Sequence, residues 1–198
     1  MLPLDRAHTM RQEADVVLKL IGLDKILPSY AKVYPTGSYF LDVMVYPDLD
    51  LYITKVTIPQ LFEIGAQIAR NEIVFQVVFE RTDDPQNLPG GLYLKPRLRY
   101  GDWGRPWKID IWSLEEKLIL NKMAEMQHFQ DKMTPWLREQ IICYKLSILT
   151  KENRTPMYSG YYVYKAFIDE GLTDFSSISQ YLISNGIQMN PADQGKSA

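Results

Sequence analysis

The spacing of apolar positions changes several times along this chain, and each change predicts a new element. Over Asp5–Ile21, the residues Ala7, Met10, Ala14, Val17 and Ile21 recur at helical spacing, which predicts an amphipathic helix stopped by Gly22. A helical turn over Leu23–Tyr30 leads to an extended piece at Lys32–Tyr34, and Pro35-Thr36-Gly37-Ser38 reads as a turn. Tyr39–Val45 is short and apolar and fits strand or helix alike. Asp48–Ile53 alternates with period two, the mark of a strand with one face in the core. Pro59 near a helix start, with Leu61, Ile64 and Ile68 on one stripe, predicts a helix over Ile58–Asn71. Ile73–Phe79 is nearly all β-branched or aromatic, which predicts a strand covered on both faces. Thr82–Gly91, with two prolines and two glycines, reads as a loop. Leu92–Tyr100 alternates again, with Leu92, Leu94, Leu98 and Tyr100 on one side and Lys95, Arg97 and Arg99 on the other. Pro96 predicts an edge position or a bulge for that strand. A turn over Gly101–Pro106 precedes a strand at Trp107–Trp112.

Beyond Ser113, a predicted helix N-cap, only helical patterns follow. Leu137, Ile141, Tyr144 and Ile148 make one stripe, and Gly160–Glu170 and Phe175–Asn185 are two further helices. The polar tail from Asn190 is predicted to be disordered. The fold class is therefore α+β: a mixed β-sheet with flanking helices, then a C-terminal helical domain. The boundaries fall at 1–113, 114–189 and 190–198.

Composition narrows the partners. Apolar residues make up 46% and charged residues 23%, the balance of a soluble globular chain rather than a disordered or fibrous one. A net charge of −2 offers no field to gather long nucleic acid, so a small-molecule partner is expected and a nucleic-acid partner is not. Cys143 is the single cysteine and has no partner for an internal disulfide, which suits a reducing cytoplasm. No apolar signal core opens the chain and no run approaches the roughly 18 apolar residues of a membrane span, so the expected location is cytoplasmic. His8 and His128 lack metal-ligand spacing. There is no paired-cysteine zinc pattern, no Walker-type loop and no Gly-x-Ser-x-Gly turn.

The chemistry lies in the acids. Side chains two apart on a strand point the same way, so Asp48 and Asp50 project together while Leu49, Leu51 and Ile53 face the core. Two carboxylates on one sheet face repel unless a cation sits between them, and Mg²⁺ takes oxygen ligands of this kind. Asp110, in Lys108-Ile109-Asp110-Ile111-Trp112, is a further acid in an apolar strand. It joins the pair if the strands are neighbours, or forms a structural ion pair with Arg97 or Lys108. Gly37-Ser38 offers backbone N–H groups and a hydroxyl at a turn that phosphate oxygens can approach closely. Lys95, Arg97 and Arg99 share one strand face and fit two roles, one or two of them neutralising a triphosphate or all solvating an edge strand. Tyr158, Tyr161, Tyr162, Tyr164 and Lys165 likewise fit base stacking and phosphate contact, or simple helix packing.

This order, Gly37-Ser38, then Asp48 and Asp50, then Asp110 on a later strand, resembles the DNA polymerase β-like nucleotidyltransferase superfamily. The stretch Gly37-Ser38-Tyr39-Phe40-Leu41-Asp42 is most similar to its small-molecule branch, which includes aminoglycoside and lincosamide nucleotidyltransferases. The resemblance covers roughly residues 30 to 113 by motif and the helical part by architecture. It implies a catalytic domain at 1–113, with Asp48, Asp50 and Asp110 as catalytic and metal-binding residues and two Mg²⁺ ions. It also implies that Gly37 and Ser38 hold the triphosphate; Arg97, Arg99 and Lys165, singled out by their own placement, are the expected nucleotide-binding cations. The expected reaction moves a nucleoside monophosphate from an NTP, ATP above all, to a small-molecule hydroxyl, releasing pyrophosphate. Two other readings stay open: the same transfer onto a protein or tRNA acceptor, and a catalytically inactive fold relative serving as a binding module.

Overall fold

The computed structural model describes residues 1–84 and 88–189. Its sheet is mixed and five-stranded, in the order β1-β2-β5-β4-β3, built from β1 (Val33–Thr36), β2 (Asp48–Thr54), β3 (Val74–Asp84), β4 (Leu88–Leu98) and β5 (Trp107–Leu114). β2 and β5 run parallel at the centre, and the other neighbours pair antiparallel. The period-two pattern sets which face is covered. Leu49, Leu51, Ile53, Ile109 and Ile111 are at most 2% exposed, and they meet α1 (Pro3–Leu20) and α4 (Ile58–Ile68) in one apolar core. α1 sends down Met10, Ala14 and Val17 from its predicted stripe. α4 opens with a capping box in which Thr57 and Gln60 satisfy each other's backbone N–H, and it buries Leu61, Ile64 and Ile68.

A second apolar cluster joins α5 (Glu116–Lys132), α6 (Pro135–Ser147), α7 (Ser159–Ile168) and α8 (Phe175–Ser184) to Ala7, Leu41, Val43 and Val45. The helices are thus held against the segment between β1 and β2, on the side where β2 begins. Within Tyr39–Val45 only the end of a single helical turn, α3 (Gly37–Phe40), is regular; the rest is an apolar anchor. A short helix, α2 (Leu23–Ile26), and the 3₁₀ turn Leu27–Ser29 complete the link from α1 to β1.

Several sequence expectations give way. Ser113 is not a helix cap: β5 continues through it, and its buried hydroxyl accepts from the Val56 N–H at 2.9 Å. α5 starts at Glu116 instead. The strand at Ile73–Phe79 is not covered twice, since β3 is the sheet edge and Phe75 is 42% exposed. The strand of Pro96 is interior, flanked by β5 and β3. Its pairing with β5 lapses at Lys95 and Pro96, where proline has no N–H to give, and the register shift falls on β3 between Val74 and Gln76. The expected loop at Thr82–Gly91 is narrower, because β3 and β4 reach Asp84 and Leu88. The tail expected at 190–198 lies outside the described residues. Among the described residues, no helix is long and apolar enough to cross a membrane.

Candidate active site

The parallel pairing of β2 with β5 sets Asp50 opposite Asp110 and Asp48 opposite Lys108. In register, partners on neighbouring strands point to the same face, so three carboxylates and one ammonium share the face away from the core. They are mostly covered: 18% of the Asp48 side chain and 13% of that of Asp110 are exposed. Lys108 Nζ donates to Asp110 Oδ2 at 2.7 Å. It lies 3.1 Å from Asp48 Oδ1 but without hydrogen-bond alignment, so that buried oxygen has no hydrogen-bond partner. The Tyr93 hydroxyl donates to Asp110 Oδ1, with the Tyr93 ring packed 4.5 Å from that of Trp112. Burial, then the charges of Asp48 and Asp110, raises the Asp50 carboxyl well above the usual carboxylate range. Burial raises Asp48 too, against the pull of Lys108.

The backbone beside Asp50 is shaped by that carboxylate. β1 ends at Thr36, opposite Asp50, and Gly37 follows with φ of 60°. A Cβ at Gly37 would lie 2.6 Å from Asp50 Oδ2, so glycine is required both by the left-handed backbone and by the neighbour. Ser38 Oγ accepts from Lys145 Nζ at 2.7 Å and lies 2.9 Å from the Tyr164 hydroxyl. Lys145 is 1% exposed and also donates to the Val43 carbonyl at 2.7 Å. Burial lowers its ammonium to about 7, with Asp50 and Asp48 pulling the other way.

These groups open into a cleft of about 910 Å³. Gly37, Ser38, Asp48, Asp50 and Asp110 line the sheet side, and residues of α5 and of the α7 start face them, Tyr158, Tyr161 and Tyr162 among these. Tyr158 caps α7 in the left-handed conformation, with φ of 62°. The structure therefore brings the acids and the Gly-Ser turn together at one cleft. It does not bring three of the expected phosphate cations there. Arg97 and Arg99 stand over the Phe75 ring at 5.6 and 4.9 Å, and Lys165 bonds Asp169 at 3.1 Å, all outside the cleft lining. His8 and His128 are exposed, and Cys143 is partly buried.

Lys108, Tyr93 and Lys145 are the residues a motif reading passes over. Period two already places Lys108 on the face of Asp110. Lys145 carries no such signal, because a lysine within Cys143-Tyr144-Lys145-Leu146 reads as the wet side of a helix.

A divalent cation suits Asp48 and Asp50: Asp48 Oδ1 is buried with an ion pair to Lys108 but no hydrogen bond, and burial, then repulsion from Asp48 and Asp110, holds the Asp50 carboxyl high. The expected three-acid ligand set is a different matter. Among the described residues no three acidic, histidine or cysteine side chains enclose a metal position, and Lys108 stands between Asp48 and Asp110.

No protein-family model matches the sequence, and no curated protein does. Solved structures match the fold. The Cid1 poly(U) polymerase bound to MgATP, as a mutant, aligns with a TM-score of 0.52 and 14% identity over 70% of this chain and 42% of that one. A chain of the GLD-2/RNP-8 complex aligns with a TM-score of 0.51 and 11% identity, over 96% of this chain and 70% of that one. Cid1 with its short product ApU aligns at 0.46 and 14% identity, over 72% and 41%. The fold is therefore nucleotidyltransferase-like, a mixed sheet with flanking helices. The chain spans about two fifths of the length of Cid1. The expectation of a small-molecule acceptor without nucleic acid is corrected here, since the Cid1 structure aligned at 0.52 is that of a poly(U) polymerase. Near-neutral net charge is an average over the whole surface and is blind to a local cleft.

Proposed function

We propose that this chain is a nucleotidyltransferase that moves a nucleoside monophosphate from an NTP to the hydroxyl of an RNA end. One observation carries the reading: Asp48, Asp50 and Asp110 meet on one sheet face beside Gly37-Ser38, at the floor of a cleft roofed by the C-terminal helices. The residue range 1–113 acts as the catalytic unit and 114–189 as the helical unit that closes over it. The fold and the nucleic-acid substrates of Cid1 support the class of reaction and of acceptor.

Asp48 and Asp50 would hold Mg²⁺, which supplies charge for the triphosphate and for the α-phosphorus under attack. The Gly37 backbone and Ser38 hydroxyl receive phosphate oxygens, with the Lys145 ammonium behind Ser38 opposing their charge. Asp110 faces the remaining space and takes the acceptor's proton as the new P–O bond forms and pyrophosphate leaves. Each of its oxygens keeps a lone pair beyond the bonds from Tyr93 and Lys108. Tyr158, Tyr161 and Tyr162 offer rings against which bases can stack.

Calorimetry with each of the four NTPs and Mg²⁺ tests the site. At least one NTP binds the wild type, and Asp48→Ala loses the Mg²⁺-dependent part. Absence of binding by every NTP, or equal binding by Asp48→Ala, counts against the proposal.

A further inference from the structure

We infer that the Lys108 ammonium is a resident second cation of the acid cluster, leaving room for one divalent ion, at Asp48 and Asp50. The inference rests on the nucleotidyl-transfer reading and adds to it. A two-ion site needs three carboxylates free to ligate, with the third acid shared between metal and acceptor. Here both oxygens of that third acid already accept one hydrogen bond each, one of them from an ammonium. Asp110 Oδ1 accepts from Tyr93, and Oδ2 accepts from Lys108 at 2.7 Å. The same ammonium lies 3.1 Å from Asp48 Oδ1, so it sits between the two strands where an ion bridging Asp48 and Asp110 would have to be.

Asp50 differs. Among the described residues no hydrogen-bond donor reaches its carboxylate, and Gly37 leaves its Oδ2 open to the cleft. The place of Lys108 points the same way. A second divalent ion between Asp48 and Asp110 would require Lys108 to leave a pocket in which only 23% of its side chain is exposed. The lysine has no alternative acidic partner among the described ion pairs. Standing beside Asp110, it supplies positive charge next to the acceptor oxygen, the part otherwise given to a second metal.

The test counts Mn²⁺ by electron paramagnetic resonance, with a non-hydrolysable methylene analogue of ATP at saturation. Wild type and Lys108→Arg are expected to bind one ion per chain, and Lys108→Gln two. Thermal melting of metal-free Lys108→Gln is expected to show a loss that Mn²⁺ restores by more than it shifts the wild type. Two ions in the wild type overturn the inference and leave the nucleotidyl-transfer reading intact, and so does one ion in a folded Lys108→Gln. If Lys108→Gln does not fold, the wild-type and Lys108→Arg counts decide. No ion in the wild type overturns the inference and the underlying reading together.

Discussion

The parallel pair β2 and β5 and their neighbour β4 use the same alternation and arrive at opposite ends. In β2 and β5, Asp48, Asp50, Lys108 and Asp110 alternate with apolar residues, and the face they share is roofed by helices from the second half of the chain. In β4 the alternation is as regular, but Arg97, and Arg99 just past the strand's end, lean on the exposed ring of Phe75 on the edge strand β3. Period two decides which side chains share a face. What covers that face decides whether they are solvated charges or a strained cluster. Covered acids lose water and repel one another, so they gain a use for a cation; uncovered arginines keep their water and cost little.

The largest effect should separate the two regions by activity. Asp50→Ala and Asp48→Ala are each expected to lower nucleotidyl transfer by a factor on the order of a hundred to a thousand, the size of a lost transition-state charge contact. Steady-state kinetics at saturating NTP checks this. Next comes the turn. Gly37→Ala places a methyl 2.6 Å from Asp50 Oδ2 on a left-handed backbone, whereas Gly171→Ala has φ of 64° with nothing within 4 Å. Strain of ~1 kcal/mol is common to both, so chemical denaturation should show a larger loss for Gly37→Ala, and that variant alone should lose activity.

A smaller effect appears in the pH dependence of stability without metal. The Asp50 carboxyl is raised by folding, so the folded state holds its proton more tightly than the unfolded chain does. That contribution is fully present below the ordinary carboxylate value and is lost as pH rises through the raised one. Metal-free melting temperature should therefore fall across that window. Asp50→Asn should flatten the fall and raise the neutral-pH melting temperature by about 3 °C, the shift expected for ~1 kcal/mol in a chain of this size. The smallest effect belongs just beyond β4: Arg99→Ala should change stability by less than about 0.5 kcal/mol and leave transfer rates unaltered. A large loss of activity there would break the contrast between the two regions.

Much of this is legible in the residues because period two is a strong signal. The strands β2 and β5, their buried faces and the shared direction of Asp48 and Asp50 follow from alternation alone. So does the place of Lys108, which only its neighbourhood turns into a cation bridging two acids. Coverage is less legible. A run such as Ile73–Phe79 has the composition of a buried strand yet lies at the edge, because composition reports β-propensity and not the number of neighbours. Ser113 illustrates a local rule overruled by tertiary pairing: a good N-cap residue is taken into β5 by the Val56 N–H. Lys145 meets Ser38 across more than a hundred residues of chain, and no local pattern encodes that meeting.

The central claim is that the covered acids perform nucleotidyl transfer to a nucleic acid. Its most direct measurement incubates the protein with a single-stranded RNA oligonucleotide, each of the four labelled NTPs and Mg²⁺, beside Asp50→Asn. The account predicts a lengthened oligonucleotide and released pyrophosphate in the wild type and neither in Asp50→Asn. Unchanged RNA and no pyrophosphate with every NTP, or equal products from Asp50→Asn, would contradict it.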